Sequence, residues 1–116
     1  MHVPLVAETR HLIDAARLVM VRDLAEAYET AARGEPIGID MRLRNRRDQA
    51  FCVRLLVQAI DALFLAAGGQ GLFLDQPLQR TWRDAHAAAS HISLNWDSTG
   101  SMYGQSLLGL EPKGQY

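Results

Sequence analysis

Residues 48–67 set the terms for the rest of the chain. The stretch AFCVRLLVQAIDALFLAA is apolar nearly all round, interrupted only by Arg54, Gln58 and Asp61. A helix with no polar side has to be covered by protein over most of its circumference. The run reads as too short and too charged to cross a bilayer, which takes about 20 consecutive apolar residues. It is therefore expected as the central helix of a bundle, with no membrane span. A chain of 116 residues offers this helix few internal partners. The uncovered remainder implies self-association or packing against further protein.

Upstream, Leu5, Leu12, Ile13, Ala16, Met20, Leu24, Ala27 and Ala31 recur at three- and four-residue steps, which predicts one side of a long amphipathic helix over 5–33. Arg10, Asp14, Arg17, Arg22, Glu26 and Glu29 fill its solvated side, and Gly34 with Pro36 stops it. Residues 34–40, GEPIGID, form a connector. Arg42, Arg44, Arg46 and Arg47 then crowd together. Guanidinium forks suit phosphate or carboxylate oxygens; pairing with Asp40, Asp48 or a neighbouring subunit is the alternative. Twelve basic residues stand against thirteen acidic ones, for a net charge of -1. With no aromatics interleaved in the arginine run, no nucleic-acid partner is expected.

Downstream, Gly68-Gly69-Gln70-Gly71 ends the central helix, and Asp75 or Gln76 with Pro77 opens the next. On that helix Leu78, Trp82, Ala85 and Ala89 share a face, with Arg80, Arg83 and Asp84 largely off it. ISLNWDSTG reads as a break, after which Asp97 or Ser98 caps a short last helix through Leu108. No strand-like alternation reaches a useful length. The expected fold class is all-α: an antiparallel helical bundle of three long helices and a shorter fourth, in a single domain over 1–116.

The glycine cluster is neither a P-loop nor a dinucleotide fingerprint, because no Lys-Ser/Thr follows it and no strand precedes it. Two readings stand: a helix end that needs left-handed backbone angles, or bare backbone that a flat or phosphorylated ligand approaches closely. His86 and His91 diverge by about 140° on a continuous helix. With one cysteine and no HxxxH or CxxC pairing, no metal site is expected. Cys52, in its apolar run, is expected as a small core residue. His91, near a loop and beside Ser90 and Asn95, can exchange protons around neutral pH. No nucleophile elbow surrounds Ser90, which argues against a hydrolase. Trp96, Met102 and Tyr103 either line an apolar pocket with a polar tip or close the bundle end. Early Glu8 and Asp14 do not suit a secretory signal, so a cytoplasmic protein is expected.

AAGGQGLF followed by PLQRTWRDAHAAASH resembles the carboxy-terminal helical domain of the acyl-CoA dehydrogenase superfamily, with its Gly-Gly-x-Gly turn and an Arg-Asp pair on the next helix. LIDAARLVMVRDLAEA is similar to an earlier helix of the same bundle, and the resemblance covers about residues 5–112. Dehydrogenases of this superfamily follow the Arg-Asp pair with Tyr-Glu-Gly-Thr, whose Glu is a catalytic base. Here Ser90-His91-Ile92-Ser93 stands instead, with no carboxylate between Asp84 and Asp97. That resembles the oxygenase component of two-component flavin-dependent monooxygenases, which hydroxylate phenols and related aromatics. The resemblance implies reduced flavin, FMN or FAD, delivered by a separate reductase. It implies that His91 lies beside flavin and substrate, deprotonating the phenol or stabilising the flavin hydroperoxide. It places Gly68, Gly69 and Gly71 near the flavin, at times that of a neighbouring subunit, and it implies a dimer of dimers. Members of the group also carry an amino-terminal helical domain and a central β-domain, so this chain is expected to be the last portion of such an enzyme. The alternatives are a non-catalytic helical module that self-associates or docks on a partner, and a remnant of an acyl-CoA dehydrogenase-like oxidoreductase, which would need a carboxylate from elsewhere.

Overall fold

The computed structural model describes residues 3–116, and all regular structure among them is helical. Four α-helices, α1 (Val3–Ala32), α2 (Ile39–Ala66), α3 (Pro77–Ala89) and α4 (Trp96–Leu107), are joined with two 3-10 turns, Gly68–Leu72 and Ile92–Leu94. The all-α architecture read from the periodicity is the one observed.

α2 is the axis. Along the α1–α2 seam Cys52 meets Ala16, Asp48 meets Arg22 and Arg44 meets Glu26. One number rises as the other falls, so the helices are antiparallel. Asp61 and Phe64 meet His86 and Trp82 on α3, while Arg47 and Phe51 meet Tyr103 and Trp96 on α4. Both short helices therefore run antiparallel to α2 and lie end to end along it. α3 has 13 residues and α4 has 12, against 30 and 28 for α1 and α2. Two short helices in series pack along α2 beside α1.

Small side chains make the seam. Ala16, Cys52 and Ala59 are at most 3% exposed, so the two long helices approach closely and pack backbone near backbone. Cys52 is a core residue as expected: its thiol donates to the Ala16 carbonyl at 3.5 Å, and burial pushes its pKa up. Leu43 and Met102 are the largest fully buried side chains. α1 ends in a Schellman arrangement: Gly34 at φ +71° donates to Ala31 and Glu35 donates to Thr30, which satisfies two orphan carbonyls.

Several expectations need correction. α2 begins at Ile39, capped by Gly38, not near Asp48; arginine is a good helix former, so the arginine run is helix and the connector is shorter. The inward face of α1 carries Thr9, Ala16, Asp23 and Thr30, while Ile13 and Leu24 point outward, the latter 63% exposed. Thr9 and Thr30 meet that burial by returning their hydroxyls to the carbonyls of Leu5 and Glu26. By length and composition α2 is apolar enough to cross a membrane, against the expectation that its charges rule this out. Here it is the helix on which α1, α3 and α4 all pack.

The packing leaves an extended body of 50 × 28 × 25 Å with a radius of gyration of 17.1 Å, where a compact chain of this length has about 13 Å. Its surface of 8109 Å² exceeds the roughly 6,300 Å² of a folded monomer of this mass. Leu18, Val21, Leu24 and Tyr28 on α1, and Leu72, Phe73 and Leu74 at the end of the first 3-10 turn and just beyond it, are all more than half exposed.

Candidate functional site

The loop between α3 and α4 carries His91. α3 stops where the Ser90 hydroxyl donates to the Ala87 carbonyl at 2.6 Å, and the chain turns extended at His91. There the ring caps the second 3-10 turn: Nδ1 accepts from the Ser93 N–H at 3.1 Å and lies 2.7 Å from the Ser93 hydroxyl oxygen. With Nδ1 accepting, the neutral ring carries its hydrogen on Nε2. His91 is exposed, so Nε2–H is offered outward as a donor. Asn95 closes the turn and caps α4, its Oδ1 accepting from the Ser98 N–H at 3.2 Å. This corrects the expected cap at Asp97 or Ser98. Asp97 lies in the first turn instead, where a carboxylate suits the helix N-terminus.

Recesses flank the loop on two sides. Ala89 and Leu94 line a groove of about 510 Å³ with Phe51, Arg54, Gln58 and Asp61 on α2. Ile92 and Ser93 line a pocket of about 250 Å³ on the other side. Trp96 packs edge-on against Phe51, centroids 5.0 Å apart, with the Arg54 guanidinium 5.6 Å from its ring. It borders an apolar cavity of about 270 Å³ with Cys52 and Leu55. Tyr103 lies under the Arg47 guanidinium at 4.2 Å and borders a cleft with Asp40 and Arg44. Trp96 and Tyr103 are thus placed in separate cavities.

The glycine turn lies at the far end of α3, a helix about 20 Å long. Gly68 has φ +67° and terminates α2. A Cβ at Gly68 or Gly69 would meet nothing within 4 Å, so both present open, exposed backbone on which a flat body fits. Gly71 is buried; a Cβ there would touch Ala67 at 3.4 Å and the Phe64 ring at 3.6 Å, so its bareness serves packing. One chain does not bring His91 and the glycine turn together.

One constellation escaped the sequence reading, and a second was foreseen only in its Asp48 pairing. Asp61 accepts from Trp82 Nε1 at 2.8 Å and His86 Nε2 at 2.6 Å, while Trp82 stacks on Phe64 at 4.8 Å. The His86 bond, more than that of Trp82, holds the Asp61 carboxyl below its usual range. A lone acid inside an apolar run was the available signal, since such a group needs donors nearby. The second is a charge cluster between α1 and α2. Asp23 and Asp48, with side chains 6% and 7% exposed, pair with Arg22, Arg44 and Arg47. Most of the arginine run is thereby bound within the fold: Arg44 also binds Glu26, and Arg42 donates to the Tyr116 carbonyl at 3.2 Å.

Known proteins carry the same organisation. The acyl-CoA dehydrogenase C-terminal domain matches residues 4–96. An FADH(2)-dependent resorcinol hydroxylase, oxygenase component, from Rhizobium sp. (strain MTP-10005) is 50% identical over 115 residues, 96% of this chain and 28% of the relative. The flavin-dependent monooxygenase, oxygenase subunit HsaA, of Rhodococcus jostii (strain RHA1) is 37% identical over 105 residues, 90% of this chain and 28% of that protein. The solved structure of XiaF from Streptomyces sp. in complex with FADH2 and glycerol superposes with a TM-score of 0.91 at 34% identity, over 97% of this chain and 28% of that one. The chain thus spans about 28% of the length of these relatives. Its helix order, its Gly-Gly-x-Gly turn between α2 and α3, and a match running from the start of α1 to the start of α4 have one reading: the chain belongs to the family of acyl-CoA dehydrogenase C-terminal domains.

Proposed function

We propose that this chain serves as the carboxy-terminal helical part of the oxygenase component of a flavin-dependent hydroxylase acting on aromatic or polyketide-like substrates. The observation that carries the reading is His91, held by Ser93 on an exposed loop, in a chain half identical to a resorcinol hydroxylase oxygenase over nearly all its length. Reduced flavin, FMN or FAD, supplied by a separate reductase, would bring the oxygen chemistry.

The chain's own residues would handle position and protons. In its present tautomer His91 donates from Nε2 to a ligand oxygen. To take a proton there, the ring must carry its own hydrogen on Nδ1, where the Ser93 hydroxyl oxygen at 2.7 Å can accept it and the Ser93 N–H bond is given up. The apolar floor of the groove, Phe51 and Leu94, suits a flat aromatic body, with Arg54 and Gln58 at its edge. Trp96, edge-on to Phe51 and near Arg54, is proposed to back that floor, and Tyr103, in a separate cleft, to meet a more distant part of the substrate. Gly68 and Gly69 offer backbone to the flavin of the same or a neighbouring copy, and Gly71 keeps that turn packed. A homo-oligomer, a dimer or dimer of dimers in the cytoplasm, would cover the apolar outer face of α1. The surface excess of about 1,800 Å² over a folded monomer is of the size that stable interfaces bury.

The test mixes the chain with reduced FMN or FAD and then admits oxygen, following flavin absorbance in a stopped-flow instrument. The expected result is a time course that departs from free flavin and that His91→Ala alters. An identical course with and without protein, for both flavins, would overturn the enzymatic reading for this chain. A second reading, a helical module that associates without chemistry, rests on the same uncovered surface and predicts an oligomer indifferent to flavin.

A further inference from the structure

Three of the four arginines near the start of α2 are engaged: Arg42 with the Tyr116 carbonyl, Arg44 with Asp23 and Glu26, and Arg47 with Asp48. Arg46 makes no ion pair or side-chain hydrogen bond among the described residues. It is half-buried and lines the pocket of about 250 Å³ beside the His91 loop, together with Ser93, Ser98 and Gln115. Ile92 and Met102 supply an apolar wall, and none of the lining residues is acidic. A guanidinium without a counter-ion, facing hydroxyl and amide donors in a recess, is complementary to an oxyanion. The apolar wall asks for a hydrocarbon body behind that oxyanion.

We propose that this pocket is a recognition site for a small ligand whose carboxylate or phosphate is held by Arg46, Ser93 and Ser98 and whose apolar body rests on Ile92 and Met102. The pocket shares Ser93 with His91. The Ser93 hydroxyl lies 2.7 Å from Nδ1, so an oxyanion that takes the Ser93 O–H as its donor draws that hydroxyl away from the ring. Occupancy is thereby communicated to His91 through one side chain. The inference rests on the proposed function only in treating His91 as the reacting group; binding at Arg46 needs no flavin.

The experiment titrates the ¹⁵N-labelled full chain, without flavin, with benzoate, with phenyl phosphate, and with inorganic phosphate as the control that lacks a body. The amides of Ser93 and Ser98 and the ring nitrogens of His91 are followed. Saturable shifts with benzoate or phenyl phosphate are expected, inorganic phosphate binding more weakly; the stronger of the two organic ligands tells carboxylate from phosphate. Arg46→Gln is expected to weaken binding about tenfold or more with an unchanged helical circular-dichroism spectrum, and Arg46→Lys to restore part of the loss. Absence of saturable shifts with either organic ligand, equal affinity for inorganic phosphate, or undiminished binding in a folded Arg46→Gln variant would each overturn the proposal. A chain that binds benzoate yet leaves flavin oxidation untouched would retain this site and lose the hydroxylase reading. A chain that alters flavin oxidation and ignores all three anions would do the reverse.

Discussion

Asp23 and Asp48 are the residues whose behaviour is least like that of their type. Burial and the hydrogen bond to Asp48 raise the Asp23 carboxyl to about 6, although Arg22 opposes the rise. Burial also works to raise Asp48, but hydrogen bonds from Asp23 and Arg47 outweigh it and leave that carboxyl below its ordinary value. Below about pH 6 the pair therefore holds a proton at Asp23, whose Oδ2 is buried with no hydrogen-bond partner. Between the ordinary carboxylate range and about 6, the folded chain binds this proton more tightly than the unfolded chain. The Asp23 contribution to stability is therefore present at low pH and lost as pH rises through that window. Asp23→Asn keeps an acceptor for Arg22 and offers Asp48 a permanent donor. Urea unfolding should find the variant more stable than the parent at pH 7.5, by about 1–2 kcal/mol, with the advantage shrinking toward pH 5. An advantage that does not vary with pH would exclude the shared proton. None of this was legible in the sequence, where Asp23 is one of many charges on α1. Only the crossing of two helices brings it against Asp48.

At the scale of elements, α3 is held by polar anchors as much as by grease. Its Trp82 and His86 both donate to Asp61, and its Gln79 donates to the Leu72 carbonyl at 2.6 Å. Asp61→Ala removes both α2–α3 bonds and should lower unfolding stability by about 1–2 kcal/mol; near-ultraviolet circular dichroism should report a loosened Trp82. An unshifted urea midpoint would mean the Phe64–Trp82 stack alone docks the helix. Helix identity was legible from periodicity, from Gly34-Pro36 and from Pro77. Helix ends were less so, for physical reasons. Asn95, Asp97 and Ser98 can each cap, and the choice among them is made by the 3-10 turn that His91 itself closes. Likewise the arginines between Asp40 and Asp48 suggest only Asp40, Asp48 or a neighbouring subunit as counter-ions, because Asp23 and Glu26 reach Arg44 only where α1 and α2 cross. His91 stood out through the resemblance to flavin-dependent monooxygenases, its place at a break beside Ser90 and Asn95 showing only that it could exchange protons. Arg46 did not, because four arginines within six residues look alike until three of them are occupied.

The molecule as a whole has more outside than it needs. An apolar stripe, Leu18, Val21, Leu24 and Tyr28, runs along the solvent side of α1, and a central helix without a polar side already pointed to missing cover. Sedimentation of the parent chain should show association. The double variant Leu18→Glu, Leu24→Glu, altering side chains 72% and 63% exposed, should shift it toward monomer without loss of helix. Equal sedimentation of parent and variant would place the contact elsewhere. The spacing between the glycine turn and the imidazole also works as a ruler. A fused three-ring system laid against Gly68 and Gly69 falls well short of a histidine about 20 Å away across α3. Whatever touches both marks within one chain must be a drawn-out molecule with a long tail, and a squat one can be gripped at both ends only where two chains meet.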